Sequence, residues 1–330
     1  MIRYFRQLKR SQVAWIVIAL FLLGFALFNV VAYNQAYAML NFRDSGQRTV
    51  KPEALSIWDK VKILLTGITI PKPANEETPD DLDLAFETHT FAGYDGQSLE
   101  AWYLPQTEVS KGHVLMFHGY AAAKSAILPE AAAFYEQGYS VFLVDFQGSG
   151  GSAGMATSVG FYEAEDVAKS VAYVQTIAPD QPIILYGQSM GGAAILRAVA
   201  VEGVEAEAVI IEAVFDRMVS TVANRFTSMG LPPFPAAHTL IFWGGQQRGF
   251  SGFQHNPADY APAVQIPTLV LHGSDDPRVT LDQAENLFDH LPSPKQFKVF
   301  EAAGHESYLQ TNNRQWNEVV STFLEIHLQK

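Results

Sequence analysis

The chain has 330 residues, 48% hydrophobic, 12% aromatic and 17% charged, which is the balance of a protein that buries a sizeable core and excludes a disordered or solvating one. Its formal charge is −12, and setting aside the four positive residues Arg3, Arg6, Lys9 and Arg10 leaves −16, a surface that repels phosphate backbones and argues against nucleic-acid binding. There is no cysteine, so disulfides, thiolate metal sites and a cysteine nucleophile are ruled out.

No repeat of solenoid or propeller period is present, and the length fits one large α/β domain with additions. Residues 1–12 form a basic segment. Val13 to Ala32 then reads VAWIVIALFLLGFALFNVVA, about twenty residues without a charge, enough at ~1.5 Å per residue to cross the hydrocarbon core of a bilayer. We expect a transmembrane signal-anchor helix over 13–33. No polar face interrupts the run, which disfavours a buried helix of a soluble protein. A cleaved signal peptide is the competing reading, because Ala36-Tyr37-Ala38 has the small-x-small form of a cleavage site, yet the apolar run exceeds the usual ~7–15 residue signal core. Basic residues in front of the span, with no comparable cluster just behind it, place the N-terminus in the cytoplasm and the bulk of the chain on the extracytoplasmic (periplasmic or extracellular) side. Residues 34–84 read as a connecting segment, helical-looking around Leu55 to Leu65, with an apolar patch at Ile63, Leu64 and Leu65 and prolines at 71, 73 and 79.

Beyond residue 84 the pattern changes. His89 to Phe91, the Tyr94-Asp95-Gly96 turn and Leu99 to Leu104 predict an antiparallel hairpin. Short apolar runs follow at His113–Phe117, Ser140–Val144, Pro182–Tyr186, Ala208–Ile211, Thr268–Leu271 and Gln296–Phe300, mostly spaced by helix-length segments. This alternation predicts a largely parallel, doubly wound sheet, whose sites lie at the carboxyl ends of its strands.

Gly187-Gln188-Ser189-Met190-Gly191-Gly192 stands between a predicted strand and a predicted helix, the context in which a G-x-S-x-G pattern forms a tight elbow that presents its serine; a plain Ser-Gly turn is the bland alternative. Serine attacks at neutral pH only when a base takes its proton and an acid fixes that base, in the chain order Ser, acid, His. His305 follows the last predicted strand and is the expected base. His272, His290 and His327 are read as structural, the last two in exposed helices. The acid is sought after the strand ending at Leu271, in His272-Gly273-Ser274-Asp275-Asp276-Pro277-Arg278-Val279. Spacing selects Asp276, with Asp275 as a turn-former and Asp216, one strand earlier, as a further alternative. Two N–H donors must face the developing oxyanion, and the backbones of Met190 and Tyr120 are the candidates, with His118 structural.

With Ser189, Asp276, His305, the His118-Gly119 turn and the Asp145-Phe146-Gln147-Gly148-Ser149-Gly150-Gly151-Ser152 loop in order, residues 85–328 resemble the α/β-hydrolase superfamily, in its serine aminopeptidase-like and monoglyceride-lipase-like branch. That branch has arginine where Gln147 stands, a departure that bears on substrate and leaves the fold untouched. The resemblance implies hydrolysis without a metal or organic cofactor. An insertion at about 215–263, rich in Phe, Met and Trp, reads as a small helical cap whose side chains either receive an apolar group or hold the cap to the core. Three readings follow: an esterase for apolar or lipid-like carboxylic esters, a peptidase or amidase for small peptides with the same triad, and a membrane-tethered binding or scaffold protein without turnover.

Overall fold

The structure is a computed structural model that describes residues 10–49, 56, 58–59, 62–63 and 67–328. The basic residues Arg3, Arg6 and Lys9, and most of the stretch at 55–65, lie outside the described residues.

Every apolar run from His89 onward becomes a strand. The eight are β1 (Glu87–Ala92), β2 (Ser98–Leu104), β3 (His113–Phe117), β4 (Ser140–Asp145), β5 (Ile183–Gln188), β6 (Ala208–Glu212), β7 (Thr268–Gly273) and β8 (Lys295–Phe300). They form one sheet in the order β1-β2-β4-β3-β5-β6-β7-β8; β1 and β2 are antiparallel and β3 to β8 run parallel. The inner strands are buried on both faces, and so read as continuous apolar runs instead of alternating ones. Their side chains still alternate in space: Leu115 and Phe117 join one core, Val114 and Met116 the other.

Helices α2 (Leu128–Glu136) and α8 (Asn313–Leu328) cover one face, through Leu128, Phe134, Trp316 and Phe323. Helices α3 (Glu163–Ile177), α4 (Met190–Arg197) and α7 (Leu281–His290) cover the other. Between β6 and β7 the cap consists of α5 (Met218–Ser228) and α6 (Ala236–Arg248), and the end of the insertion returns to the core through Ala258 and Ala261.

The N-terminal helix, α1, spans Arg10–Leu40 and is 31 residues long. Most of its apolar residues through Val30 face outward, with Trp15 71% and Phe21 70% exposed. It runs eight residues past the apolar stretch because its last turns pack against α6, where Ala32, Ala36, Ala38 and Leu40 are buried. Trp243 donates its ring N–H to Asn29 at 3.1 Å and meets Tyr33 edge-on at 5.4 Å. Arg248 donates to the Leu40 carbonyl and to Asn41 Oδ1, which satisfies acceptors at the helix C-terminus. Phe42 and Arg43 then bond to Met155 and Ile70, so the start of the connecting segment is part of the domain.

One buried ion pair holds the loop after β3. Lys124, fully buried, donates to Asp145 Oδ2 at 2.5 Å and to Glu100 Oε1 at 2.8 Å, and its ammonium sits 4.2 Å from the Trp102 ring. Burial pushes the Asp145 carboxyl up, and the charges of Lys124 and His118 with the Lys124 hydrogen bonds together outweigh this and hold it below the usual range. Removing one partner of such a pair strands the other. Lys124→Met should therefore cost about 3–5 kcal/mol, read as a lower melting temperature of the full-length protein in detergent; an unchanged melting temperature would contradict it.

Candidate active site

The strand β5 ends at Gln188 and α4 starts at Met190, so Ser189 is the single residue between them. Its φ of 49° and ψ of −110° form a strained conformation for a residue with a Cβ. The strain is held from several sides. Ser189 N–H donates to the Glu212 carbonyl of β6 at 2.7 Å. A Cβ on Gly191 would stand 2.2 Å from the Phe117 carbonyl oxygen, and one on Gly187 would stand 2.6 Å from the Gly191 carbonyl carbon. Only glycine lets α4 press this closely on the ends of β3 and β5, which is the physical content of the G-x-S-x-G pattern.

Sheet register aligns the other parts. Phe117, Gly187, Ile211, Val270 and Phe297 are successive partners across five parallel strands, so the loops bearing Ser189, Asp276 and His305 all leave the same edge. His305 Nδ1 lies 2.6 Å from Asp276 Oδ2. Asp276 is buried, and its other oxygen accepts the Arg278 and Val279 amides at 2.7 and 3.0 Å. Burial drives its pKa up, while the His305 hydrogen bond and charge and these amides outweigh that and hold the carboxyl below its ordinary value. Nδ1 of His305 is thereby committed to the acid, leaving Nε2 for a proton in transit. Among the described residues the Ser189 hydroxyl makes no hydrogen bond to the protein, and such bonds tighten in many sites only around substrate.

The alternatives are occupied elsewhere. Asp216 accepts from Asn286 at 2.9 Å, and Asp275 is exposed and accepts the Ser274 hydroxyl at 3.0 Å. His272 is buried against the Val279 carbonyl at 2.9 Å, and His290 is exposed and bonds to the Asn286 carbonyl. His327 differs from its expected exposure, being half-buried against Phe323.

The loop after β3 lies against the elbow: a Cβ on Gly119 would be 3.7 Å from Ser189 Cβ. His118 is buried, takes the Phe146 amide on Nε2 at 3.1 Å, and so carries its proton on Nδ1, 2.8 Å from the Gly119 carbonyl. This fixes the peptide that precedes Tyr120. Among the described residues, neither the Tyr120 nor the Met190 amide donates to a protein acceptor. Met190 also opens α4, whose N-terminal amides favour negative charge. Gln147, where the resembled branch has arginine, donates to the Tyr94 carbonyl at 2.5 Å and pins that turn.

Sequence reasoning missed two buried acids behind the elbow. Glu130 of α2 accepts from the Ser307 hydroxyl, two residues past His305, and from Gln188 at 3.4 Å, one residue before Ser189. It therefore ties the loop of His305 to the turn of Ser189. Glu212 accepts the Trp316 ring N–H at 2.5 Å and Gln188 at 3.4 Å. No local pattern marks these residues, since their partners lie up to 177 positions away. Burial, then the charge of Glu130, pushes the Glu212 carboxyl up to about 8 from 4.5. The folded state thus holds a proton that the unfolded chain releases near 4.5, so this group lowers stability as pH rises from 4.5 towards 8. Glu212→Gln should flatten the fall in melting temperature between about pH 5 and pH 8; equal slopes in variant and wild type would refute this role.

The family model described as "Serine aminopeptidase, S33" matches residues 108–231, which include the elbow and the loop after β3. Uncharacterized protein YfhR of Escherichia coli (strain K12) is 26% identical over 226 residues, covering 66% of this chain and 73% of its own. Protein bem46 of Schizosaccharomyces pombe is 26% identical over 293 residues, covering 86% of this chain and 90% of its own. Among solved structures, an esterase of Pyrococcus furiosus superposes with a TM-score of 0.66 at 21% identity, over 78% of this chain and 97% of that one. The sheet order, the elbow and these likenesses together give the chain the α/β-hydrolase fold, with residues 108–231 similar to the S33 serine aminopeptidase family model.

Proposed function

We propose that the chain is a membrane-anchored serine hydrolase that cleaves carboxylic esters of apolar acids through an acyl-enzyme. The observation that carries this reading is the strained Ser189 at the head of α4, beside the 2.6 Å Asp276–His305 pair. Ser189 Oγ attacks the acyl carbon while His305 Nε2 takes its proton, and Asp276 steadies the imidazolium that forms. The Tyr120 and Met190 amides receive the oxyanion, a donor of this kind typically supplying ~3 kcal/mol. His305 then gives its proton to the leaving alcohol, and water releases the acid by the same steps in reverse. No metal or organic cofactor enters.

Ester over peptide is favoured by what lines the adjoining cavity. A cavity between α1, the loop after β3, α5 and α6 is bordered mostly by apolar side chains, and among the described residues that line it the one charged side chain is the cation Arg225. An aminopeptidase would need a carboxylate there for the substrate ammonium. The anchor reading is supported by the length and apolar surface of α1. The small-x-small site at 36–38 lies inside this helix, with Ala36 and Ala38 buried against the domain. With the basic residues in front of the span, the catalytic domain stands on the extracytoplasmic side.

The full-length protein in mild detergent should react with a fluorophosphonate probe, and Ser189→Ala and His305→Ala should abolish labelling. A well-folded, unlabelled wild type would favour the non-catalytic tethered protein. Asp276→Asn should keep the fold and lower kcat about 10³–10⁴-fold, through loss of the correct histidine tautomer. A panel of acyl esters and aminoacyl amides separates the two hydrolytic readings, with turnover expected on the esters.

A further inference from the structure

The cavity beside the catalytic edge is closed in part by the membrane helix itself. Ala36, Met39 and Leu40 of α1 line it together with Tyr120, Val222 of α5 and Ile241 of α6. Tyr120 joins the two sides: its hydroxyl donates to the Met39 carbonyl at 2.5 Å, and its own amide is one proposed oxyanion donor. Met190, which carries the other, packs against one segment of the wall. Ser158 and Val159 border the cavity, Thr157 Oγ1 lies 3.5 Å from Met190 Sδ, and a Cβ on Gly160 would be 3.1 Å from the Met190 carbonyl.

The height of this cavity follows from helix geometry. With the apolar span ending at Ala32, Ala36 to Leu40 lie about 6–12 Å beyond the hydrocarbon at ~1.5 Å per residue, from the outer part of a headgroup layer about 5–7 Å deep to just past it. The α6 flank carries Trp243, bonded back to Asn29 inside the span, and next to it Phe242, which is 46% exposed. Aromatic side chains so placed sit at the membrane interface. Through this aromatic flank a hydrocarbon chain passes from the span to the apolar cavity along an apolar surface, which limits its exposure to water on the way.

We propose that the anchor helix is a wall of the acyl-binding site: the end of α1, with Tyr120, α5 and α6, holds the hydrocarbon chain of a membrane-lipid ester that enters sideways from the bilayer. The proposal rests on the acyl-enzyme reading above and adds both the source of the substrate and a substrate-binding role for the anchor.

The test uses the full-length protein and the variants Ala36→Val, Ala36→Leu and Ala36→Phe, whose added volume fills the cavity from the anchor side. Fluorophosphonate labelling reports whether each retains an assembled site, and kcat/KM is measured on p-nitrophenyl laurate and butyrate. The laurate-to-butyrate ratio should fall stepwise with side-chain volume, by about tenfold or more at the largest variant that still labels. Val222→Phe, which fills the same space from the domain side, should lower it in the same direction. A ratio within about twofold of wild type in labelled Ala36→Leu and Ala36→Phe overturns the proposal while leaving Ser189 as nucleophile. An unlabelled wild type instead removes the serine chemistry on which it rests.

Discussion

The head of α4 meets the carboxyl ends of β3 and β5 at a separation that no Cβ fits, and the rest of the site is arranged around that contact. Gly191 against the Phe117 carbonyl sets the distance, and Ser189 takes up the backbone strain that the distance imposes. The same contact brings the loop after β3 against the serine, where a Cβ on Gly119 would be 3.7 Å from Ser189 Cβ. His118 then locks that loop to β4 through Phe146, and the Lys124–Asp145 pair locks it again a few residues on. A local strain of this kind persists only where neighbours over-determine it, and here they come from β3, β4, β5 and β6.

Two kinds of buried acid surround the site, distinguished by what faces them. Asp145 and Asp276 meet a lysine and a histidine together with backbone N–H groups, so the partners outweigh burial and keep them ionised. Glu130 and Glu212 meet each other, a hydroxyl, a tyrosine and an indole N–H, so burial prevails and favours the protonated form. The first pair orients charge; the second fills the space behind the elbow with hydrogen bonds. Asp166, which burial pushes up to about 7, holds the Tyr94 and Gln147 amides in the same way at the edge of the sheet.

What could be read from the sequence was what repeats or clusters locally. The strands were legible because inner parallel strands are apolar on both faces, and the elbow because glycine is forced at two positions beside a strand end. The meeting of Asp276 with His305 was legible only through chain order and loop spacing. The roles of Glu130, Glu212 and Lys124 were not, since each depends on partners from other elements and none has a motif. The continuation of α1 to Leu40 was hidden for a related reason. An apolar count ends at Ala32, whereas the last turns are held by α6 and by Arg248. The cap aromatics divide as the composition left open: Phe250 stacks on Phe161 at 4.0 Å, while Phe234 stays 71% exposed.

The unbroken passage of α1 from its apolar stretch into the domain makes its length a ruler and its pitch a dial. Each residue between Ala32 and Ala36 raises the domain about 1.5 Å and turns it about 100° relative to the span. Losing one would rotate Asn29 away from Trp243 while leaving Met39 on Tyr120 and Ser189, Asp276 and His305 unmoved. On the anchor reading, the sequence there is selected for its count as much as for its composition, and the catalytic edge faces the membrane at a fixed height and azimuth.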